Sequence, residues 1–273
     1  MIEIGEAKWI KDQMHDLLSG LKIIRVAMMN KPHKFCFLNH PAVDFEMVLP
    51  NKTIQSVKQS GNMIRLMLDY GRELVFFEDL IFEYKTLESV TDKNQMVIYF
   101  NNEMVLEVKV KLYGFIQVGR TEELLEKDIY FKRALSVIDP LDGEFTYEYF
   151  VKETKMNEPK HTVKMALATE QKIPGLGNGT LQDILFYAKV RPDRKVETLH
   201  DFEKQALYES TKKVVHSIYT QKGRNNQQDL LGHKGEYDVQ MTSQRGFCPI
   251  CQSNLNEKNY LGGKVIFCPH CQK

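Results

Sequence analysis

Four of the five cysteines fall in the last 26 residues, as Cys248-x-x-Cys251 and Cys268-x-x-Cys271 with a 16-residue spacer between the pairs. Each pair can present two thiolates to one tetrahedral ion, and a hairpin of that length brings the pairs together, so the spacing predicts a zinc ribbon. Four thiolates complete the coordination shell and leave no position for water, which makes the expected Zn2+ structural rather than catalytic. Two pairs without a strand-to-helix setting argue against a redox motif, and His270, inside the second pair, reads as a bystander. The remaining Cys36 reads as a small core residue. This usage fits a reducing compartment better than a disulfide framework.

Charge is nearly balanced, with 37 Lys and Arg against 36 Asp and Glu, so bulk charge neither demands nor excludes a polyanionic partner. No apolar run approaches the roughly 18 residues of a membrane span, and the acids and Trp9 near the start do not form a signal pattern. Neither a membrane partner nor export is expected, and a cytoplasmic location follows.

Residues 3–19 place Ile10, Met14, Leu17 and Leu18 at helical spacing and stop at Gly20. From about 22 to 118 the texture turns to runs of strand formers such as "MIRLMLDYGRELVFF", broken at Tyr70-Gly71 and Asn101-Asn102, which predicts meandering antiparallel strands. Helix formers return over 121–135, 145–155, 160–171, 178–190 and 199–220, and the polar stretch 221–240 reads as a loop. The expected class is α+β: an N-terminal helix with an antiparallel β-sandwich (1–120), a helical domain (121–240) and the ribbon (241–273).

The second informative stretch is "KIPGLGNGTLQDILFYAKVRP". Gly175, Gly177 and Gly179 permit unusual backbone angles and close approach, and a helix follows until Pro192. Turn amides with Asn178 as an added donor would suit a phosphate, and tight helix packing would explain the same glycines. This stretch resembles the helix-two-turn-helix signature of the formamidopyrimidine-DNA glycosylase and endonuclease VIII family, G-[IV]-G-N-x-x-x-x-E-x-L-F-x-A-x-[IV]-x-P. The terminal C-P-x-C-x16-C-P-x-C-Q ribbon is similar to the same family's DNA-binding zinc finger.

The resemblance implies a DNA repair protein of the base excision pathway. It would bind damaged double-stranded DNA as a monomer, with the duplex between the two larger domains and the target nucleotide flipped out. Phosphate contacts alone do not distinguish DNA from RNA. By the resemblance, Asn178 and Lys164 would grip phosphates, with Gly177 in the turn between them. Members typically begin M-P-E-[LG]-P-E and use the proline amine, exposed by loss of Met, as nucleophile on the sugar C1′; the following Glu acts as acid/base and a second Glu supports it. In "MIEIGE" the carboxylates stand as Glu3 and Glu6, but Ile2 replaces the proline and Gly5 the next one. Ile at position 2 normally prevents removal of the initiator, so the free amine would belong to Met1, one residue out of register.

Further departures follow the same pattern. The R-R-G-K hairpin aligns with "QSGN", putting Asn62 where a Lys approaches the scissile phosphate. The H-L-G-M loop, whose Met fills the void left by the flipped base, aligns with "FEDL", which gives Leu80. The D-x-R-R-F-G wedge aligns with "KVKLYG", with Lys111 and Tyr113 standing in. The finger Arg falls at Gly263, with Lys264 beside it. Two functions therefore remain open: a binder of damaged DNA with lost or altered catalysis, or a DNA N-glycosylase using Glu3 with water, or the Met1 amine, with a lyase step less expected. Glu3 and Glu6 also fit a structural role as acids at a helix N-terminus.

Overall fold

In the computed structural model, which describes residues 1–29 and 33–273, the first element is helix α1 (Ile4–Leu18). Its start is fixed by Glu6, whose carboxylate accepts from the Glu3 amide at 3.1 Å, and it ends before Gly20 at φ +84°. Ile10, Met14 and Leu18 are buried as their spacing predicts. Gly5 lies where a Cβ would come within 2.6 Å of Ile218, so its lack of a side chain lets α1 cross α7 (Asp201–Thr220) closely.

The strands are β1 (Ile23–Met28), β2 (Cys36–Leu38), β3 (Ile54–Ser60), β4 (Met63–Leu68), β5 (Arg72–Thr86), β6 (Met96–Phe100) and β7 (Met104–Arg120), hydrogen-bonded in the order β1-β6-β7-β5-β4-β3. The expected sandwich is one folded sheet, because the long β5 and β7 run through both layers. Residues 72–76 of β5 pair with β4, whereas β6 pairs only with 105–108 of β7. The fold line in β5 is a register shift between Glu78 and Leu80, with Glu78 at φ +75°. Two features depart from an all-antiparallel meander. Strand β2 joins β7 in parallel, Cys36 beside Gly114, and a short helix α2 (Ala42–Val48) covers β1. Cys36 packs half-buried against this core, and burial pushes its thiol up to about 11.

The helix expected over 121–135 is two, α3 (Thr121–Lys127) and α4 (Ile129–Ser136). Asp128, at φ −118°, breaks the run and caps α4 by accepting from the Phe131 amide at 2.9 Å. Helix α5 (Tyr147–Glu153) and a π-helical turn (Met165–Thr169) follow; only that turn and the residues leading into it realise the helix expected over 160–171. Then come α6 (Asn178–Tyr187) and α7. Residues 221–240 contain no helix or strand, and the C-terminal ribbon is the hairpin β8 (Asn256–Tyr260) and β9 (Gly263–Phe267). One apolar core joins α1 to the sheet, a second joins α5, α6 and α7, a third packs α3 and α4 on the sheet through Leu124 and Phe131, and a small fourth at the ribbon base gathers Phe186, Met241 and Ile266 around Cys248 and Cys268. Among the described residues no helix is long and apolar enough to cross a membrane.

Candidate nucleic-acid interface and metal centre

Two glycines dock the sheet onto the helical half. Gly61, at φ +60° in the β3–β4 turn, sits where a Cβ would lie 2.7 Å from the Pro174 oxygen. Gly175, at φ +80°, sits where a Cβ would come within 2.4 Å of the Asn62 nitrogen. Beside this junction opens a cleft of about 360 Å³. It brings together Met1, Asn62, Tyr113, Lys164, Gly177 and Asn178, six of the residues expected at the site, with Glu78, Gln171 and the ribbon tip Leu261–Gly262 completing its wall.

The chemistry expected at the amino end is arranged differently. The Ile2 nitrogen is a peptide amide donating to the Glu78 oxygen at 3.3 Å, and its side chain is buried in the sheet core. The Met1 amine pairs with Asp79 at 2.6 Å, and its sulfur lies 3.9 Å from the Tyr113 hydroxyl. Glu3 lies behind Met1, 2 % exposed, and its oxygens accept from the amides of Gly177 (3.1 Å), Gly179 (3.0 Å) and Thr180 (2.9 Å). The glycine-turn amides therefore hold this carboxylate at the α6 N-terminus, where phosphate contacts were expected. The glycines are required for that approach, since a Cβ at Gly177 would lie 2.6 Å from Glu3 Oε1.

Arg224 completes the buried network. Its Nη1 donates to Glu3 at 3.1 Å, its Nε and Nη2 to Glu6, and Nη2 also to the Met1 carbonyl at 2.9 Å. Burial would raise the Glu3 carboxyl, but Arg224, the Thr180 hydrogen bond and the amino terminus outweigh it and hold the carboxyl below its ordinary range. Burial raises the carboxyl of Glu78 against hydrogen bonds from Tyr113 and Asn62, and lifts the Tyr113 hydroxyl to about 12 with help from Glu78. Asn62 is itself held between the Tyr130 hydroxyl (2.9 Å) and the Ile2 carbonyl (3.5 Å).

Three expected contact residues lie elsewhere. Leu80 is 3 % exposed and packs over Gly114 inside the sheet, so it cannot fill a void in DNA; the bulge at Glu78 turns it inward. Lys111 is exposed outside the cleft, at a second recess lined by Ile2, Leu80 and residues 225–229. Lys264 is exposed and held by Glu257 (2.9 Å) and Ser243 (3.3 Å). Lys164 is in the cleft but donates to the Tyr260 carbonyl of the ribbon at 2.6 Å, and burial lowers its pKa. Gly263, where the family has Arg, approaches Asn178 so closely that a Cβ would fall 2.2 Å from its Nδ2.

The four ribbon cysteines place their sulfurs within 4.8 Å of one another, with Cys248–Cys271 at 3.8 Å and Cys251–Cys268 at 3.4 Å. A tetrahedral zinc with Zn–S of about 2.3 Å needs sulfurs about 3.8 Å apart, so the set fits one ion. Outside the shell, Gln272 accepts from the Cys268 amide at 2.8 Å and donates to the Val190 carbonyl at 3.0 Å, tying the metal centre to the segment just after α6.

Sequence reasoning missed Arg224, Asp79, Glu78, Tyr130 and Gln171. Arg224 sits in a polar loop with partners more than 200 positions away, which no local pattern signals. Comparison with known proteins agrees with the architecture. Residues 137–228 match the model of the formamidopyrimidine-DNA glycosylase H2TH domain. Curated relatives named formamidopyrimidine-DNA glycosylase, from Listeria innocua (25% identical) and Ureaplasma parvum (27%), align over 100% of this chain and of their own. Among solved structures, a complex of Lactococcus lactis Fpg with DNA containing an abasic site covers 99% of both chains at a TM-score of 0.85 and 20% identity. With the helix-two-turn-helix turn, the four-cysteine ribbon and this full-length similarity in agreement, the chain carries a formamidopyrimidine-DNA glycosylase H2TH domain and resembles the formamidopyrimidine-DNA glycosylase and endonuclease VIII family along its whole length.

Proposed function

We propose that this protein binds damaged or distorted double-stranded DNA in the cleft between sheet and helices, and that the family's proline-amine chemistry is absent from it. The observation that carries the second half is Arg224, seated between Glu3 and Glu6 while the Ile2 nitrogen is spent as an amide. A carboxylate that already accepts three amides and a guanidinium is a poor proton acceptor, because each of those donors favours its charged form. For binding, Lys164 and Asn178 supply a cation and an amide to the phosphates, and the ribbon tip shares the cleft wall with them. Zinc, when bound, holds the hairpin in shape.

A second reading has one observation in its favour: the Met1 amine lies in the cleft with Asp79 as a neighbouring base. The two separate by measuring affinity and base release on the same duplexes, carrying an abasic site, an oxidised purine or an oxidised pyrimidine, with an RNA duplex as competitor. Tight binding to damaged DNA without base release supports the binding reading. Catalytic base release overturns it in favour of the second, and failure to prefer damaged duplexes overturns both.

A further inference from the structure

With Leu80 buried in the sheet, the exposed apolar side chains beside the cleft, apart from Leu261 at the ribbon tip, are carried by two neighbouring segments. The parallel register of Cys36 with Gly114, fastened by the Gly114 amide donating to the Phe35 carbonyl at 2.9 Å, sets Phe35 alongside Tyr113. Phe35 is 47 % exposed, Leu112 64 % and Tyr113 40 %, unusual for large apolar groups side by side. Tyr113 is also part of the cleft wall with Lys164 and Asn178, so the apolar rim is continuous with the proposed DNA site. The rim stands on a rigid base: Phe37, on the same strand as Cys36, stacks on Phe115 at 4.9 Å, and Phe115 stacks on Phe77 at 4.6 Å.

Charge selects the occupant. Residues 33–38 and 109–115 contain no Asp or Glu, and they present exposed Lys34 and Lys111 on either side of the apolar groups. The Lys34 ammonium lies 5.4 Å from the centre of the Phe35 ring. Aromatic surface between lysines suits stacked bases flanked by phosphates. We propose that Phe35, with Leu112 and Tyr113, enters the base stack of duplex DNA where a base is missing or extruded, taking the space that Leu80 cannot reach. This rests on the DNA-binding reading above and assigns to the turn leading into β2 a contact that the family pattern did not point to.

The test uses the full zinc-loaded chain and two duplexes of one sequence, one intact and one with a tetrahydrofuran abasic analogue opposite 2-aminopurine. Phe35→Ala is expected to weaken binding to the abasic duplex about tenfold and to leave affinity for the intact duplex unchanged, the size of a lost base–aromatic stack. Leu112→Ala should act in the same direction, Phe35→Trp should restore the preference, and Ile24→Ala, an exposed apolar change on β1, should do nothing. The 2-aminopurine signal should respond to the wild type and Phe35→Trp but not to Phe35→Ala. Equal losses on both duplexes, or none, would overturn the rim assignment while leaving DNA binding intact. A wild type that binds neither duplex would overturn the DNA-binding reading itself, and the rim with it.

Discussion

Replacing Arg224 with methionine leaves two buried carboxylates, Glu3 and Glu6, without their shared cation. Both are 2 % exposed, and four side-chain hydrogen bonds from the guanidinium, to Glu3, Glu6 and the Met1 carbonyl, disappear together. Breaking a buried pair by removing one partner costs about 3–5 kcal/mol, because the remaining charge is uncompensated. In a chain of this size that lowers the melting temperature by about 10 °C. The loss should depend on pH with a defined sign. In the wild type the depressed Glu3 carboxyl contributes stability that is present above its unfolded value and lost as pH falls through the depressed folded one. In Arg224→Met burial, the largest influence on Glu3, is no longer offset by the guanidinium, so the Glu3 carboxyl rises and takes up a proton on folding, and the deficit at pH 7 shrinks as the solution is acidified toward the unfolded carboxylate range. Urea unfolding from pH 7 down to 4.5, with the triple variant Glu3→Gln, Glu6→Gln, Arg224→Met as a neutral reference, measures both effects. A single variant as stable as the wild type at pH 7, or a deficit that grows with acidification, would refute the assigned electrostatics.

Cys268→Ser, or zinc chelation, should abolish DNA binding while the far-ultraviolet helix signal and the main unfolding transition persist, since the ribbon has its own small core. Lys164→Ala should weaken binding to all duplexes alike and flatten the dependence of log Kd on log salt by about one ion, read by fluorescence anisotropy from 50 to 200 mM salt. Glu78, whose carboxyl is raised by burial, stabilises the fold fully below its unfolded value and loses that contribution as pH rises through the folded one. Glu78→Gln should therefore be the more stable protein at pH 8 and lose its advantage by pH 4, checked by urea unfolding at both.

What could be read from the chain alone was what is written at short range. The cysteine spacing states its ligand geometry within 24 residues, and the turn around Gly175, Gly177 and Asn178 announces a close approach within a few more. Helix α1 was legible because Ile10, Met14 and Leu18 repeat at helical spacing and Gly20 ends the run. Long-range and sign-changing features were not. The bulge at Glu78 shifts the two-residue alternation, so Leu80, which the family resemblance placed against DNA, points into the core. Asp128 cuts one apparent helix into two because its side chain competes for the next helix start. The partners of the glycine-turn amides were misjudged for the same reason: Glu3 lies 174 to 177 positions away, and only the packing of α1 against α7, which in turn packs on α6, brings its carboxylate there.

DNA binding is expected in a protein whose amino end forms no covalent sugar adduct. Intact-protein mass spectrometry after incubation with an abasic-site duplex and borohydride tests it most directly, because reduction fixes any imine between an amine and the sugar aldehyde. The chain is expected to stay unmodified at DNA concentrations where anisotropy shows the protein saturated. A stable adduct that maps to Met1 would contradict it.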